Sequence, residues 1–200
     1  MAKERLKSPR VRLFVALDIP EAVRDGVVAW QRAELADPAL RVVSPASLHI
    51  TLAFIGYLPE KAVPSVAEVV HASGATGPVI ELQPLPAMRP QSRPRFIALD
   101  AVSQETVALQ ADLERRLVAR RLYEPEKRPF WSHLTVARVR GERRGSKRPA
   151  RIERLPGPLP EALCEPFEGV RLTVYRSTLM RQGAEYTPLA QKELPASGRL

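Results

Sequence analysis

The 200-residue sequence holds one cysteine, Cys164. An intramolecular disulfide is thereby excluded, and so is a zinc cluster built on thiolates. No run of about 18 apolar residues occurs, so no helix is expected to cross a bilayer. The first ten residues are charged, and the apolar stretch Leu13 to Leu17 that follows is too short for the core of a secretion signal. A reducing, cytoplasmic setting is the expectation. Histidine is scarce as well, with three in the chain, so any pattern that uses two of them carries weight.

Apolar residue types make up 44% of the chain and charged ones 26%, enough apolar surface to offset ordering entropy despite 20 prolines. A folded protein of one domain, or of two small lobes sharing a core, fits this length. Lys and Arg number 31 against 22 Asp and Glu, a net charge of +9, which favours polyanionic partners such as nucleic acid or nucleotides. Charge alone is equally compatible with a cation-rich surface that binds nothing in particular.

Hydrophobic periodicity predicts the elements. Val11 to Leu17 is apolar on both faces, as in a covered strand. Asp18 is placed to cap a helix that starts with Pro20 and Glu21 and buries Val23, Val27 and Trp30. Arg41 to Val43 is short and extended. From Leu48 to Ile55 a strand sends Leu48, Ile50, Leu52 and Phe54 to the core and His49 and Thr51 to the other face. A short helix follows with Val63, Val66 and Val70, then strands over Val79 to Leu85 and Arg95 to Ala101, joined by a Pro-rich connection. Ser103 caps a helix in which Leu109, Leu113 and Leu117 recur every four residues. Trp131 to Val139 is a strand, and Arg140 to Pro166 has no periodicity and is expected as a long loop. Val170 to Arg176 and Tyr186 to Leu194 close the sheet. Residues 1–10 and 195–200 are expected as tails around a single domain, 11–194.

Two histidines sit in matching frames, Ser47-Leu48-His49-Ile50-Thr51-Leu52 and Trp131-Ser132-His133-Leu134-Thr135-Val136, 84 residues apart. Residues i and i+2 of a strand share a face about 6.5 Å apart, so one phosphoryl group can touch both the imidazole and the hydroxyl of a motif. If the two strands are adjacent, two imidazoles and two hydroxyls converge on one small anion. Imidazole titrates near 6.5, so one ring can serve as base while the other serves as acid near neutral pH, and Thr donates to phosphoryl oxygens without adding charge. A single His-x-Thr is as readily a surface pair; the duplication argues otherwise. His71, near the end of a helix, has no such frame. The three histidines match no common metal-ligand spacing.

These motifs, with Arg12-Leu13-Phe14-Val15-Ala16-Leu17-Asp18-Ile19-Pro20, Arg128-Pro129-Phe130, Ala137-Arg138-Val139-Arg140, Tyr175-Arg176-Ser177 and Tyr186-Thr187-Pro188-Leu189, resemble the 2H phosphoesterase superfamily. Within it the chain looks most like the RNA 2′,3′-cyclic phosphodiesterases, or 2′,5′ RNA ligase family, from about Val11 to Leu194. The resemblance implies an α+β fold of two pseudo-symmetric lobes, antiparallel sheets with outer helices around a cleft carrying both His-x-Thr-x motifs. It implies metal-independent hydrolysis of 2′,3′-cyclic phosphates on RNA ends or nucleotides to 2′-phosphates by a monomer without cofactor, and a weak reverse 2′,5′ ligation. By position it makes His49 the proton donor to the leaving 3′ oxygen and His133 the proton acceptor that activates water. Thr51 and Thr135 would hold phosphoryl oxygens, and Arg138 would stabilise charge on them.

Without the resemblance the two histidines are interchangeable, because the motifs are symmetric. Strict alternation puts Arg138 on the face opposite His133, so either the strand bulges or ends there, or Arg138 belongs to the surface. Ala53 stands where relatives often have lysine. Phe14, Phe54 and Tyr175 offer faces for stacking or for the core. The stretch Arg138 to Arg154 carries seven further basic residues, Arg140, Arg143, Arg144, Lys147, Arg148, Arg151 and Arg154, against Glu142 and Glu153. It either tracks an RNA backbone into the cleft or is a solvated loop. The competing function is a non-catalytic RNA or nucleotide-binding module using the same basic cleft, or a structural RNA-associated protein; both leave two matched imidazoles without a task.

Overall fold

The computed structural model describes residues 9–74, 76–180 and 183–198. Its strands and helices are, in chain order, β1 (Arg10–Asp18), α1 (Glu21–Glu34), β2 (Leu40–Val42), β3 (His49–Pro59), α2 (Val63–Ala72), β4 (Val79–Leu82), β5 (Ala87–Arg89), β6 (Phe96–Val102), α3 (Gln104–Ala119), β7 (His133–Val139), β8 (Phe167–Glu168), β9 (Arg171–Met180) and β10 (Gly183–Glu193). The strands pair antiparallel in the order β10-β9-β1-β3-β7-β6-β4-β8, with β2 added beside β7 and β5 beside β6. Four strands of this path lie on each side of a seam between β3 and β7, where Ile50 pairs with Leu134. The α+β antiparallel architecture expected from sequence is the observed one.

Helices supply the apolar stripes that the sheet needs. α1 buries Val27 and Trp30, α2 buries Val66, Val69 and Val70, and α3 buries Leu109, Leu113 and Leu117, all in one core with Leu13, Leu17, Ile50, Leu99 and Leu134. Gln31, buried on α1, donates from Nε2 to the carbonyls of Val43 and Val136, tying the helix to the start of the seam. A much smaller cluster, Phe14, Ala16 and Tyr175 with Tyr186 packed on it, is separate from this core.

Ser103 caps α3 as expected, its Oγ accepting from the Thr106 backbone N–H at 2.9 Å. Asp18 does not cap α1. The cap position is Pro20, and Asp18, 2% exposed, instead accepts from Arg171 Nε (2.9 Å), Thr173 Oγ1 (2.8 Å) and Tyr175 OH (3.1 Å). A buried carboxylate needs donors, and β9 provides three where one helix end offers fewer. The Pro-rich connection after β4 contains β5, which pairs with β6. The expected loop from Arg140 to Pro166 is largely irregular, apart from a bridge between Gly141 and Pro149 and one 3-10 turn at Glu161–Leu163; β8 follows it and pairs with β4. At the carboxyl end the tail is held as far as Ser197: the Pro195 carbonyl accepts from the Gly77 N–H, and the Ser197 backbone N–H donates to the Glu168 carboxylate. Residues 1–8 of the expected amino-terminal tail lie outside the described residues, whereas Arg10 is already in β1.

Candidate active site

Each His-x-Thr motif begins a strand, and the two strands meet at the motifs themselves. Ile50 opposite Leu134 fixes the antiparallel register. Continuing it by one residue each way sets His49 against Thr135 and Thr51 against His133, on the face away from the buried Ile50 and Leu134. The two motifs are thus related by a local two-fold, with imidazoles on one diagonal and hydroxyls on the other. All four residues line a cleft of about 550 Å³, together with Arg12, Phe14, Arg41, Phe54, Arg138 and Tyr186.

Arg138 reaches the cleft because β7 bulges. Ala98 pairs with Thr135 and Ile97 with Ala137, leaving Val136 as the extra residue. Val136 and Ala137 are both buried, and the next side chain returns to the face of His133. The same irregularity occurs in β3, where Ala16 pairs with Thr51 and Val15 with Ala53, leaving Leu52 extra. Strict alternation sent Phe54 to the core; after the bulge it is 38% exposed and lines the cleft, with the Arg12 guanidinium 4.5 Å from its ring centroid. Ala53 is buried under that bulge.

Behind each imidazole stands an aspartate on the neighbouring strand: Asp18 pairs with His49 and Asp100 with His133. These close two near-identical pentapeptides, Phe14-Val15-Ala16-Leu17-Asp18 and Phe96-Ile97-Ala98-Leu99-Asp100. Sequence reading passed over that repeat, which was the available signal for both carboxylates. Asp18 is held by the three β9 donors, and Asp100 Oδ1 accepts from Trp131 Nε1 at 2.6 Å. Arg41 and Arg12 were also missed as cleft residues. Arg41 lies directly opposite Arg138 across the β2–β7 pair.

The surroundings of the two rings differ. His133 stacks on Trp131 with centroids 4.0 Å apart, and its Nδ1 lies 2.7 Å from the Trp131 carbonyl. That oxygen can only accept, so Nδ1 carries the proton and Nε2 is left with its lone pair. His49 lies against Phe14 (5.1 Å) and Tyr175 (5.6 Å), with the edge of Tyr186 at 5.5 Å, and its buried Nδ1 has no hydrogen-bond partner. A proton there would be an unsatisfied buried donor, so the neutral ring keeps its proton on Nε2. Burial pushes the His49 imidazole down to about 4, opposed by the Asp18 charge and reinforced by His133 and Arg138. His133 is also lowered, by burial first, with the Trp131 carbonyl bond and Asp100 pulling upward and Arg138 downward. Tyr175 is pushed up to about 12 by burial and by Asp18, so its hydroxyl stays protonated. His71 lies on α2 and is not among the residues lining the cleft. Among the described residues, no three His, Cys, Asp or Glu side chains gather as a metal site.

Known proteins share the sequence pattern and the fold that hold this site. Residues 17–98 match the family model described as LigT like Phosphoesterase. An RNA 2′,3′-cyclic phosphodiesterase from Methanothermobacter thermautotrophicus is 29% identical over 184 residues, covering 90% of this chain and 97% of the relative. A Thermus thermophilus protein of known structure superposes with a TM-score of 0.76 at 26% identity, over 93% of this chain and 99% of its own. The structure of Escherichia coli LigT complexed with 3′-AMP, 23% identical, shares the fold with a TM-score of 0.73, over 93% of this chain and 99% of its own. With the fold shared and relatives aligned along nearly the full length, the chain is similar to the LigT-like phosphoesterases in both sequence and fold.

Proposed function

We propose that the protein hydrolyses 2′,3′-cyclic phosphates at RNA ends or on nucleotides, leaving a 2′-phosphate. The observation that carries this is the antiparallel placement of two His-x-Thr motifs in one cleft, diagonal to each other. In-line displacement at a cyclic phosphate needs a base and an acid on opposite sides of phosphorus, and this diagonal supplies them. His133 Nε2, with its lone pair free, takes a proton from water as the water oxygen bonds to phosphorus. The P–O3′ bond breaks, and His49 Nε2 gives its proton to the 3′ oxygen. Thr51 and Thr135 donate to the non-bridging oxygens, and the Arg138 guanidinium stabilises their charge. Before substrate binds, His49 is neutral because burial holds it down to about 4. A bound phosphodiester anion favours the imidazolium and readies the acid. No step calls for a metal or cofactor.

Both imidazoles come from one chain, so residues 11–194 acting as one monomeric domain suffice. A single cysteine suits a cytoplasmic setting. Run backward with a 5′ hydroxyl in place of water, the same groups make a 2′,5′ linkage, a weak activity because water is abundant. The test is hydrolysis of a nucleoside 2′,3′-cyclic monophosphate in EDTA, with identification of the product isomer. The expected result is a 2′-phosphate, with His49→Ala and His133→Ala each slower by roughly 10²–10⁴. No turnover by the wild-type protein on this substrate or on a cyclic-phosphate RNA end contradicts the reading.

A further inference from the structure

Beside the catalytic cleft lies a second basin of about 490 Å³, lined by Arg41, Arg140, Arg143 and Arg144 with Val139, Gly141, Gly145 and Ser146. Arg41 lines both spaces, so the basin continues the cleft on the β2–β7 side. Among the described residues that line either space there is no acidic side chain. Arg41 and Arg138 are cross-strand partners, so cationic side chains from both strands border the passage between cleft and basin.

The basic stretch after β7 is sorted by its backbone into two sides. Gly141 bridges to Pro149, the Ala150 N–H donates to the Arg140 carbonyl, the Glu142 N–H to that of Arg148, and the Ser146 N–H to that of Arg143. This closed turn presents Arg143 and Arg144, both exposed and without an ion pair among the described residues, to the basin. Arg140 Nε is anchored on the Leu40 carbonyl, which fixes its guanidinium beside Arg41's strand. Glu142 pairs instead with Arg148, and both line a different cavity with Arg93 and Arg151. Of the seven basic residues of this stretch, three therefore line the basin, and the acid that would neutralise them is turned away.

Resting on the hydrolytic reading above, we propose that this basin binds the backbone phosphates of nucleotides preceding the terminal cyclic phosphate, so that the protein prefers oligonucleotide ends over mononucleotides. The terminal phosphate occupies the His-x-Thr centre, and the strand leaves past Arg41 toward Arg143 and Arg144. A flexible polyanion with evenly spaced charges matches a row of guanidiniums better than a lone nucleotide does, because each phosphate engaged releases condensed counterions.

The test compares the wild type with Arg143→Ala/Arg144→Ala on two substrates: a nucleoside 2′,3′-cyclic monophosphate and a short RNA ending in a 2′,3′-cyclic phosphate. The double variant is expected to lose roughly tenfold in kcat/KM on the RNA at low salt and nothing on the mononucleotide. The slope of log kcat/KM against log salt should flatten by about 0.7 per phosphate contact removed. Arg148→Ala/Arg151→Ala, on the other cavity, should change neither. Equal losses on both substrates, or no loss on RNA, overturn the proposal while the mononucleotide turnover leaves hydrolysis standing. So does weakened binding of a Glu-rich peptide with RNA turnover unchanged, which assigns the basin to an acidic protein partner.

Discussion

The two halves of the sheet share a backbone plan and differ in what surrounds their histidines. Val15 to Asp18 with His49 and Thr51, and Ile97 to Asp100 with His133 and Thr135, use the same strand pairing and the same bulge, and β1–β3 adds a second irregularity between Leu13 and Val15. Yet His133 rests on a carbonyl and an indole, His49 among Phe14 and two tyrosines with a bare Nδ1. At the position after each bulge one half has Arg138 and the other Phe54. Duplication builds a symmetric cradle; the neighbours make it directional, which catalysis with one acid and one base requires.

The sharpest way to break the comparison is at the post-bulge position. Arg138→Ala removes the cleft charge that we propose stabilises the phosphoryl oxygens, and kcat should fall by roughly 10²–10³. Phe54→Ala, its counterpart, should raise KM with kcat nearly unchanged, because a stacking face acts on ground and transition state alike. Equal kcat losses in both would mean that the halves are functionally symmetric.

The backing carboxylates come next. Asp18 is buried with three side-chain donors, one a guanidinium, whereas Asp100 is partly buried with Trp131 as its side-chain donor. Asp18→Asn should cost roughly 2–3 kcal/mol of folding stability, read by urea denaturation, and Asp100→Asn under about 1. The reverse ranking would show that burial at Asp18 is not what holds β9 to β1.

The smallest expected effect is on pH. The Asp100 charge raises the His133 pKa, so Asp100→Asn should lower it further and move the acid limb of kcat/KM to lower pH. In the wild type that limb should already lie below about 6.5, the ordinary imidazole value. A limb that moves upward in the variant would contradict the assignment of His133 as base. Folding follows the same sign: His49 binds its proton more weakly folded than unfolded, so stability falls as pH drops from about 6.5 toward 4.

The strands carrying the motifs were legible because period-two patterning and the paired imidazoles coincide. What escaped was set by irregularity and distance. Alternation cannot register a bulge, although the doubled apolar pairs Leu52-Ala53 and Val136-Ala137 mark it once known. Asp18 before Pro20 has the signature of a helix cap, and only β9, more than 150 residues on, redirects it. Arg41, on the three-residue strand β2, gains meaning only from lying opposite Arg138.

The most direct test of the directional cradle is a nucleoside 2′,3′-cyclic phosphate analogue with sulfur in place of the 3′ oxygen. A thiolate, with a pKa near 8.5 for its ordinary thiol, leaves without a proton. His49→Ala should then recover most of its lost rate on the analogue, while His133→Ala remains slow because water still needs a base. Recovery in His133→Ala, or equal recovery in both, would contradict the assignment of acid to His49 and base to His133.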